Sequence, residues 1–255
     1  MTPPRRIAMA GLVLGLAAVA AGPAAAQDLA AALADGSLAN RALQLVVLVG
    51  LISFVPGLLV MVTCFPFIIT VLSVLRQAIG LQQAPPNMLL VSLALFLTWF
   101  VMEPVFLASW ANGVSPWLDG TLAVEEAFAP AAAPFRAFMA ARVDAGTLST
   151  IAGFRPDVGS LADPSAVPLS VLVPSFLLSE IQRAFLVGFL VFIPFLVIDL
   201  VVAAVLMSMG MMMVPPAIVA LPFKLAFFVV VDGWTLVTMG LVEGYAAASA
   251  LQVPP

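Results

Sequence analysis

The chain has 255 residues, 64% of them hydrophobic and 9% charged, with nine Lys and Arg, 13 Asp and Glu, and a formal net charge of −4. Soluble domains carry about 25% charged residues, so a soluble globular fold is excluded, as is disorder, which requires low hydrophobicity and high charge. There is no His, one Cys (Cys64) and no basic surplus, which removes His-dependent catalysis, His-ligated metal, a disulfide or cysteine cluster, and nucleic-acid binding.

Residues 1–26 have the layout of a secretory signal peptide. Arg5 and Arg6 precede an uncharged apolar run from Ile7 to Ala21, and Ala24, Ala25 and Ala26 supply small residues ahead of a cleavage point at Gln27. The apolar run is shorter than the roughly 20 residues of a membrane span. A mature chain beginning at Gln27 starts outside the cytoplasm.

Residues 27–118 form an N-terminal region with a first helical hairpin. No charge falls between Arg41 and Arg76. Pro56, Gly57 and Pro66 interrupt this run, which predicts kinks or a re-entrant break. Gly80, Pro85 and Pro86 mark a turn. A second apolar run from Met88 is interrupted at Glu103 and Pro104, a candidate kink at a protein interface or a boundary at the membrane surface, and continues to Leu118.

Residues 119–168 are a polar insert holding nine of the chain's charges, six acidic and three basic. An amphipathic helix is expected after Pro134, followed by a loop through GFRPDVGSLADPSAVP. Residues 169–255 carry a second hairpin with a Met-rich turn. Its apolar part is expected to run from Ala184 to Phe223, broken at Gly210, Pro215 and Pro216, and again from Leu225 to Val242. Four hydrophobic segments in two hairpins return the C-terminus and the insert to the outside. Arg76 and Lys224 near the inward turns agree with the positive-inside tendency. The fold class is therefore all-α, a helical membrane protein of two kinked helical hairpins around a polar extracytoplasmic insert. The tips share G-x-x-x-x-P-P at an offset of 130 residues, so the hairpins are candidates for a parallel repeat.

The charges inside apolar runs are candidate functional residues, because a charge there is expensive without a partner. Asp199 stands 13 residues before Met212 and Lys224 stands 12 after it, which sets them at one height on antiparallel helices. They suit an ion pair within the hairpin or between subunits; a proton relay is the sharper alternative. Glu180 and Arg183, three apart, suit a same-face pair or a subunit contact. Met211, Met212 and Met213 form a flexible, polarisable triplet, suited to a deformable seal or to filling space. Asp199 and Asp232 stand at different heights from that turn, 13 and 20 residues away, which argues against a catalytic dyad. No nucleotide-binding G-x-x-x-x-G-K-[ST] motif, metal site or cofactor is expected, and no enzyme.

The runs FPFIITVLSVLRQAIGLQQAPPNMLLVSLALFLTWFVMEPV and VPSFLLSEIQRAFLVGFLVFIPFLVIDLVVAAVLMSMGMMMVPPAIVALPFKLAFFVVVDGW closely resemble the FliP family. Its members are export-gate proteins of the bacterial flagellar type III secretion apparatus. The resemblance covers residues 45–108 and 171–240 and leaves the insert out; injectisome export proteins share the same core. The resemblance implies five copies assembled with FliQ and FliR in the inner membrane at the flagellar basal body, with FlhB and FlhA completing the machinery. It implies that unfolded flagellar subunits pass through a central channel and that Met211, Met212 and Met213 form a gasket narrowing the closed pore. It places Asp199 and Lys224 at inter-subunit and intra-hairpin contacts. It also implies hairpins packed as wedges on one another, so that hydropathy reports burial between subunits as much as contact with lipid. An export-gate subunit of a virulence-type (injectisome) secretion system and a non-pore assembly scaffold are the alternatives.

Overall fold

A computed structural model describes residues 46, 49, 50, 53, 57–81, 84–155, 167–211 and 213–250. The signal peptide, part of the first apolar run including Pro56, residues 156–166 of the insert loop and Met212 lie outside the described residues. The chain divides into residues 1–57 and 58–255. In the first unit the described positions are helical, and the Ser53 hydroxyl donates to the Val49 carbonyl at 2.7 Å. The second unit is helical throughout its regular elements, with no strand among the described residues.

Helix α1 spans Phe65–Ile79. It starts after a break at Thr63 and Cys64, where the Thr63 hydroxyl donates to the Val60 carbonyl at 2.9 Å and accepts from the Phe65 amide at 3.3 Å. Pro66 thus sits in the first turn, where its missing N–H costs nothing. The helix ends at Gly80, whose φ of 90° is left-handed. Helix α2, Asn87–Ser109, buries Leu90, Ala94, Thr98 and Met102, one residue every four along one face. It continues through a π turn at Trp110–Val114 into α3, Ser115–Leu118.

The insert holds α4, Val124–Arg142, and α5, Ala145–Gly153. Helix α4 begins ten residues before Pro134 and runs through both Pro130 and Pro134, so the helix expected after Pro134 is only its second half. Pro134 lacks an N–H, and the Ser109 hydroxyl from α2 donates to the nearby Ala131 carbonyl at 2.7 Å. The π turn lays Gly113 on α4 so closely that a Cβ there would stand 2.6 Å from the Ala131 nitrogen and 2.7 Å from the Ala127 oxygen. Phe138, Met139, Leu148 and Ala152 of the insert enter the same core as α1 and α2.

Helix α6, Leu169–Ser208, is 40 residues long and passes unbroken through Pro174 and Pro194. It starts 15 residues before the Ala184 expected from hydropathy, because Leu172, Phe176, Glu180, Ala184 and Gly188 form one buried row. That row lies on α1, with Val74 side-chain atoms 3.0–3.2 Å from where a Gly188 Cβ would stand. Helix α7, Pro216–Val230, and α8, Gly233–Ala250, meet at a 61° bend. The bend falls at Asp232, φ 49°, and Gly233, where a Cβ would overlap the Phe228 ring. The arms of the hairpins before their turns differ, 15 residues in α1 and 40 in α6. The likeness between the hairpins is therefore confined to the G-x-x-x-x-P-P motif with its left-handed glycine.

Among the described residues, 87–118 and 169–208 are long and apolar enough to cross a membrane, and the bent α7–α8 pair is a third candidate. Helix α1, at 15 residues, is shorter than a span.

Candidate functional site

Two polar clusters interrupt the apolar packing, and one exposed turn carries methionines. The first cluster centres on Glu180, fully buried in the second turn-pair of α6. Its Oε1 receives Arg142 Nε at 2.9 Å and Arg183 Nη1 at 2.9 Å, and the Tyr245 hydroxyl donates to its Oε2. Arg142 also donates to the Gly244 carbonyl at 3.1 Å and lies 3.8 Å from the centre of the Tyr245 ring. Arg183 reaches back to the Arg142 carbonyl at 3.1 Å. One carboxylate thereby holds α4, α6 and α8 together with charge-assisted bonds, the strong class of hydrogen bond.

The serines beside Glu180 have local solutions. Ser175 and Ser179 donate to the carbonyls four residues earlier, at 2.7 Å each, and Ser179 also accepts from the Asp144 amide at 3.0 Å. Asp144 caps α5: its carboxylate accepts from the Thr147 amide at 2.8 Å and hydroxyl at 3.0 Å. Those bonds stabilise the charged form and hold the Asp144 carboxyl below the ordinary aspartate value of 3.8.

The second cluster joins α6, α7 and α1. Lys224 Nζ stands 2.6 Å from Asp199 Oδ2 and donates to the Ala78 carbonyl at 3.1 Å. Ala78 lies in the last turn of α1, where carbonyls lack helical partners and a cation meets the negative end of the helix dipole. Asp199 Oδ1 is buried with no hydrogen-bond partner among the described residues.

The turns of the two hairpins are built differently. At the first, Gly80 is left-handed, Arg76 bonds the Asn87 side chain and the Pro85 carbonyl, and Pro86 precedes α2. At the second, Gly210 has φ 73°, its amide bonds the Met207 carbonyl and the Met211 amide bonds the Leu206 carbonyl, both at 3.0 Å. This paired capping is the Schellman arrangement, and it projects the chain out of α6 at Met211. Pro215 then precedes α7, with Pro216 as its first residue. Met211 is 41% and Met213 97% exposed. Beside them, Val197, Val201, Val205, Met209, Met211 and Phe223 line an apolar groove of about 600 Å³.

Of the residues singled out from the sequence, the structure brings together Asp199 with Lys224 and Glu180 with Arg183, each within this chain. Glu103 stands apart from both clusters, exposed on α2. Arg142 and Tyr245 are the residues that sequence reasoning missed. Arg142 read as one of nine insert charges. Tyr245 is the sole tyrosine of the chain, and a lone phenol in an apolar sequence was the signal available, since a buried hydroxyl seeks a partner.

Long apolar helices with polar groups paired inside them define an α-helical membrane-embedded protein. The model of the FliP family matches residues 48–241. A flagellar biosynthetic protein FliP of Caulobacter vibrioides is 49% identical over 244 residues, covering 92% of this chain and 91% of the relative. Those of Agrobacterium fabrum and Bacillus subtilis are 43% and 40% identical, covering 83% of this chain and 86% and 95% of their own lengths. The chain belongs to the FliP family and is a membrane-embedded component of flagellar biosynthesis.

Proposed function

We propose that this chain is a pore-forming subunit of the flagellar type III export gate, conducting unfolded flagellar proteins across the inner membrane during flagellum assembly. The observation that carries the reading is the α6–α7 turn. Apolar side chains at a helix–helix tip ordinarily bury themselves, yet Met211 and Met213 project outward, next to an open apolar groove. Methionine is unbranched and repacks readily. Copies of this turn meeting around an axis make a seal that holds back ions and yields by rotamer change as a polypeptide arrives. Five copies assemble with FliQ and FliR, with FlhB and FlhA completing the machinery and supplying the coupling to energy. The insert, α4 and α5, lies on the extracytoplasmic side.

Replacing Met211, Met212 and Met213 together with Ala tests the reading. The expected result is an intact assembly, detected by native electrophoresis of solubilised membranes, with raised ion conductance across the membrane. An intact assembly with wild-type conductance refutes the seal.

A further inference from the structure

Helix α6 changes character along its length. Val74 of α1 lies on Gly188, and Phe67 meets Tyr245, which bonds Glu180, so α1 and α6 run side by side in one direction. Five residues past Val74, α1 ends at Ile79, level with Ile193. From Val171 to Gly188, α6 buries eight residues; from Pro194 to its end it buries two, Phe195 and Leu206. Pro194 therefore falls where the support of α1 stops. It has no N–H, so the Leu190 carbonyl loses its α-helical donor and the helix bends most easily there.

The returning helix has a joint at the same level. Pro194 to Ser208 and Pro216 to Val230 are both 15 residues, and α7 then meets α8 at the 61° bend. Asp232 in that bend, φ 49°, holds a left-handed backbone that few residues with a side chain adopt. An apolar cavity of about 370 Å³ lies at the joints, with Leu75, Val187 and Leu190 on one side and Phe195, Phe227 and Phe228 on the other. It leaves those rings room to move. Below the joints, Asp199 and Lys224 tie α6 to α7 at 2.6 Å, so the two segments travel together. Lys224 also fastens them to α1 through the Ala78 carbonyl at 3.1 Å. Asp199 Oδ1 is buried without a hydrogen-bond partner among the described residues. An ammonium has three donors, so Oδ1 is the acceptor ready for the one that Ala78 releases.

We infer that residues 195–230 form a rigid arm that pivots on Pro194 and on Asp232–Gly233, and that the bond from Lys224 to Ala78 latches the position seen here. On release, Lys224 keeps Asp199 and exchanges the Ala78 carbonyl for Asp199 Oδ1, so each position has its own contacts. The arm is about 21 Å long, and a tilt of about 15° carries the methionine turn about 5 Å sideways. The inference rests on the reading of that turn as a seal, and adds that the seal opens by movement of the whole arm as well as by rotamer change.

The test uses the full chain in flagellated cells lacking their own copy, and reads flagellar subunit protein secreted into the medium. Gly80→Cys with Leu221→Cys spans the latch, since a Cβ at Gly80 stands 3.5 Å from Leu221 Cδ1. Bridging the two thiols with a short bifunctional methanethiosulfonate should lower secretion at least about tenfold, and reduction should restore it. Val74→Cys with Gly188→Cys, bridged in the same way above the joints, should secrete to within about twofold of wild type. A second pair of variants does not depend on cross-linking. Pro194→Ala restores a donor to the Leu190 carbonyl and should lower secretion about three- to tenfold, the factor by which one added hydrogen bond shifts a two-state equilibrium. Pro174→Ala, in the part of α6 held by buried Leu172, Ser175 and Phe176, should leave it unchanged. Undiminished secretion with the Gly80–Leu221 bridge or with Pro194→Ala overturns the inference, as does an equal loss from either control. All four variants keep their methionines, so failure of the joint shows as undiminished secretion here, whereas failure of the seal shows as wild-type conductance in the methionine-to-alanine variant.

Discussion

Glu180→Gln is the substitution whose effect the structure specifies most closely. The carboxylate is fully buried, bonded to Arg142 and Arg183 at 2.9 Å each and to the Tyr245 hydroxyl. Glutamine keeps the shape and removes the charge. Arg183, with its side chain 38% exposed, turns toward water, and its loss is worth at most about 1 kcal/mol. Arg142 has no such exit, since its side chain is 7% exposed. It retains the Gly244 carbonyl and the Tyr245 ring, so the loss falls at the lower end of the about 3–5 kcal/mol seen when a buried pair loses one partner. At about 2–4 °C per kcal/mol for a chain of this size, the midpoint should fall by roughly 6–12 °C. The chain supplies its own reporter: Cys64 is the only cysteine and is completely buried in the same core. A thiol-reactive dye on detergent-solubilised protein therefore reads the opening of that core during heating. Arg142→Gln should cost a similar amount, and the double variant should cost clearly less than the sum of the two. A midpoint within about 1 °C of wild type for Glu180→Gln, or strict additivity in the double variant, would refute the reasoning.

Gly113→Ala places a methyl 2.6 Å from the Ala131 nitrogen and 2.7 Å from the Ala127 oxygen. Backbone cannot move aside as a side chain does, so the same dye assay should show a loss of about 1–3 kcal/mol, while Gly153→Ala, with nothing within 4 Å, should be near neutral. Lys224→Met strands Asp199 and leaves the Ala78 carbonyl unbonded; the expected loss, about 3 kcal/mol or more, should fall to a fraction of that when Asp199→Leu is added. Asp144 titrates below 3.8 in the folded chain, so its contribution to α5 is present above the ordinary aspartate value and is lost as pH falls through the lowered one. Amide exchange in α5 should be faster in Asp144→Ala than in wild type at pH 6, and the two should converge once the carboxyl is protonated.

Hydropathy placed the start of α2 and both turns, because apolar runs there meet Gly and Pro, but the run expected from Leu225 to Val242 is divided between α7 and α8. It misplaced the start of α6 for a definite physical reason. Residues 169–183 include Ser175, Ser179, Glu180 and Arg183, which read as a polar flank. In the fold, Ser175, Ser179 and Glu180 all face inward. The serines are satisfied by their own helix, and Glu180 by Arg142, 38 residues distant. Polarity along the sequence is local, whereas its cancellation depends on packing. Proline is likewise no sure stop: α6 passes through both Pro174 and Pro194. The break that does occur falls at Asp232 and Gly233, where the left-handed backbone and the Phe228 ring, rather than a proline, stop α7. The Asp199–Lys224 spacing was legible because hairpin geometry converts equal distance from a turn into equal height. The bond from Lys224 to Ala78 was not, since it crosses 146 residues to another hairpin.

The two ion clusters have a shared consequence for α1. Phe67, near its start, meets the Tyr245 ring at 5.5 Å, and Tyr245 bonds Glu180. Ala78, near its end, receives Lys224, which bonds Asp199. The clusters thus engage α6 at Glu180 and Asp199, 19 residues or roughly 28 Å apart along the helix, and bracket a helix of 15 residues. Between them Val74 meets Gly188 at close range. Leu, Val and Ile faces alone would let α1 slide along α6 at little cost, because one apolar contact replaces another. Contacts near each end of α1 resist that slide, since moving by one turn would break the Lys224 bond to the Ala78 carbonyl and part Phe67 from the Tyr245 ring. In a chain that is 9% charged, the few buried charges therefore set the register of the hairpins, and the register sets where the methionine turn projects.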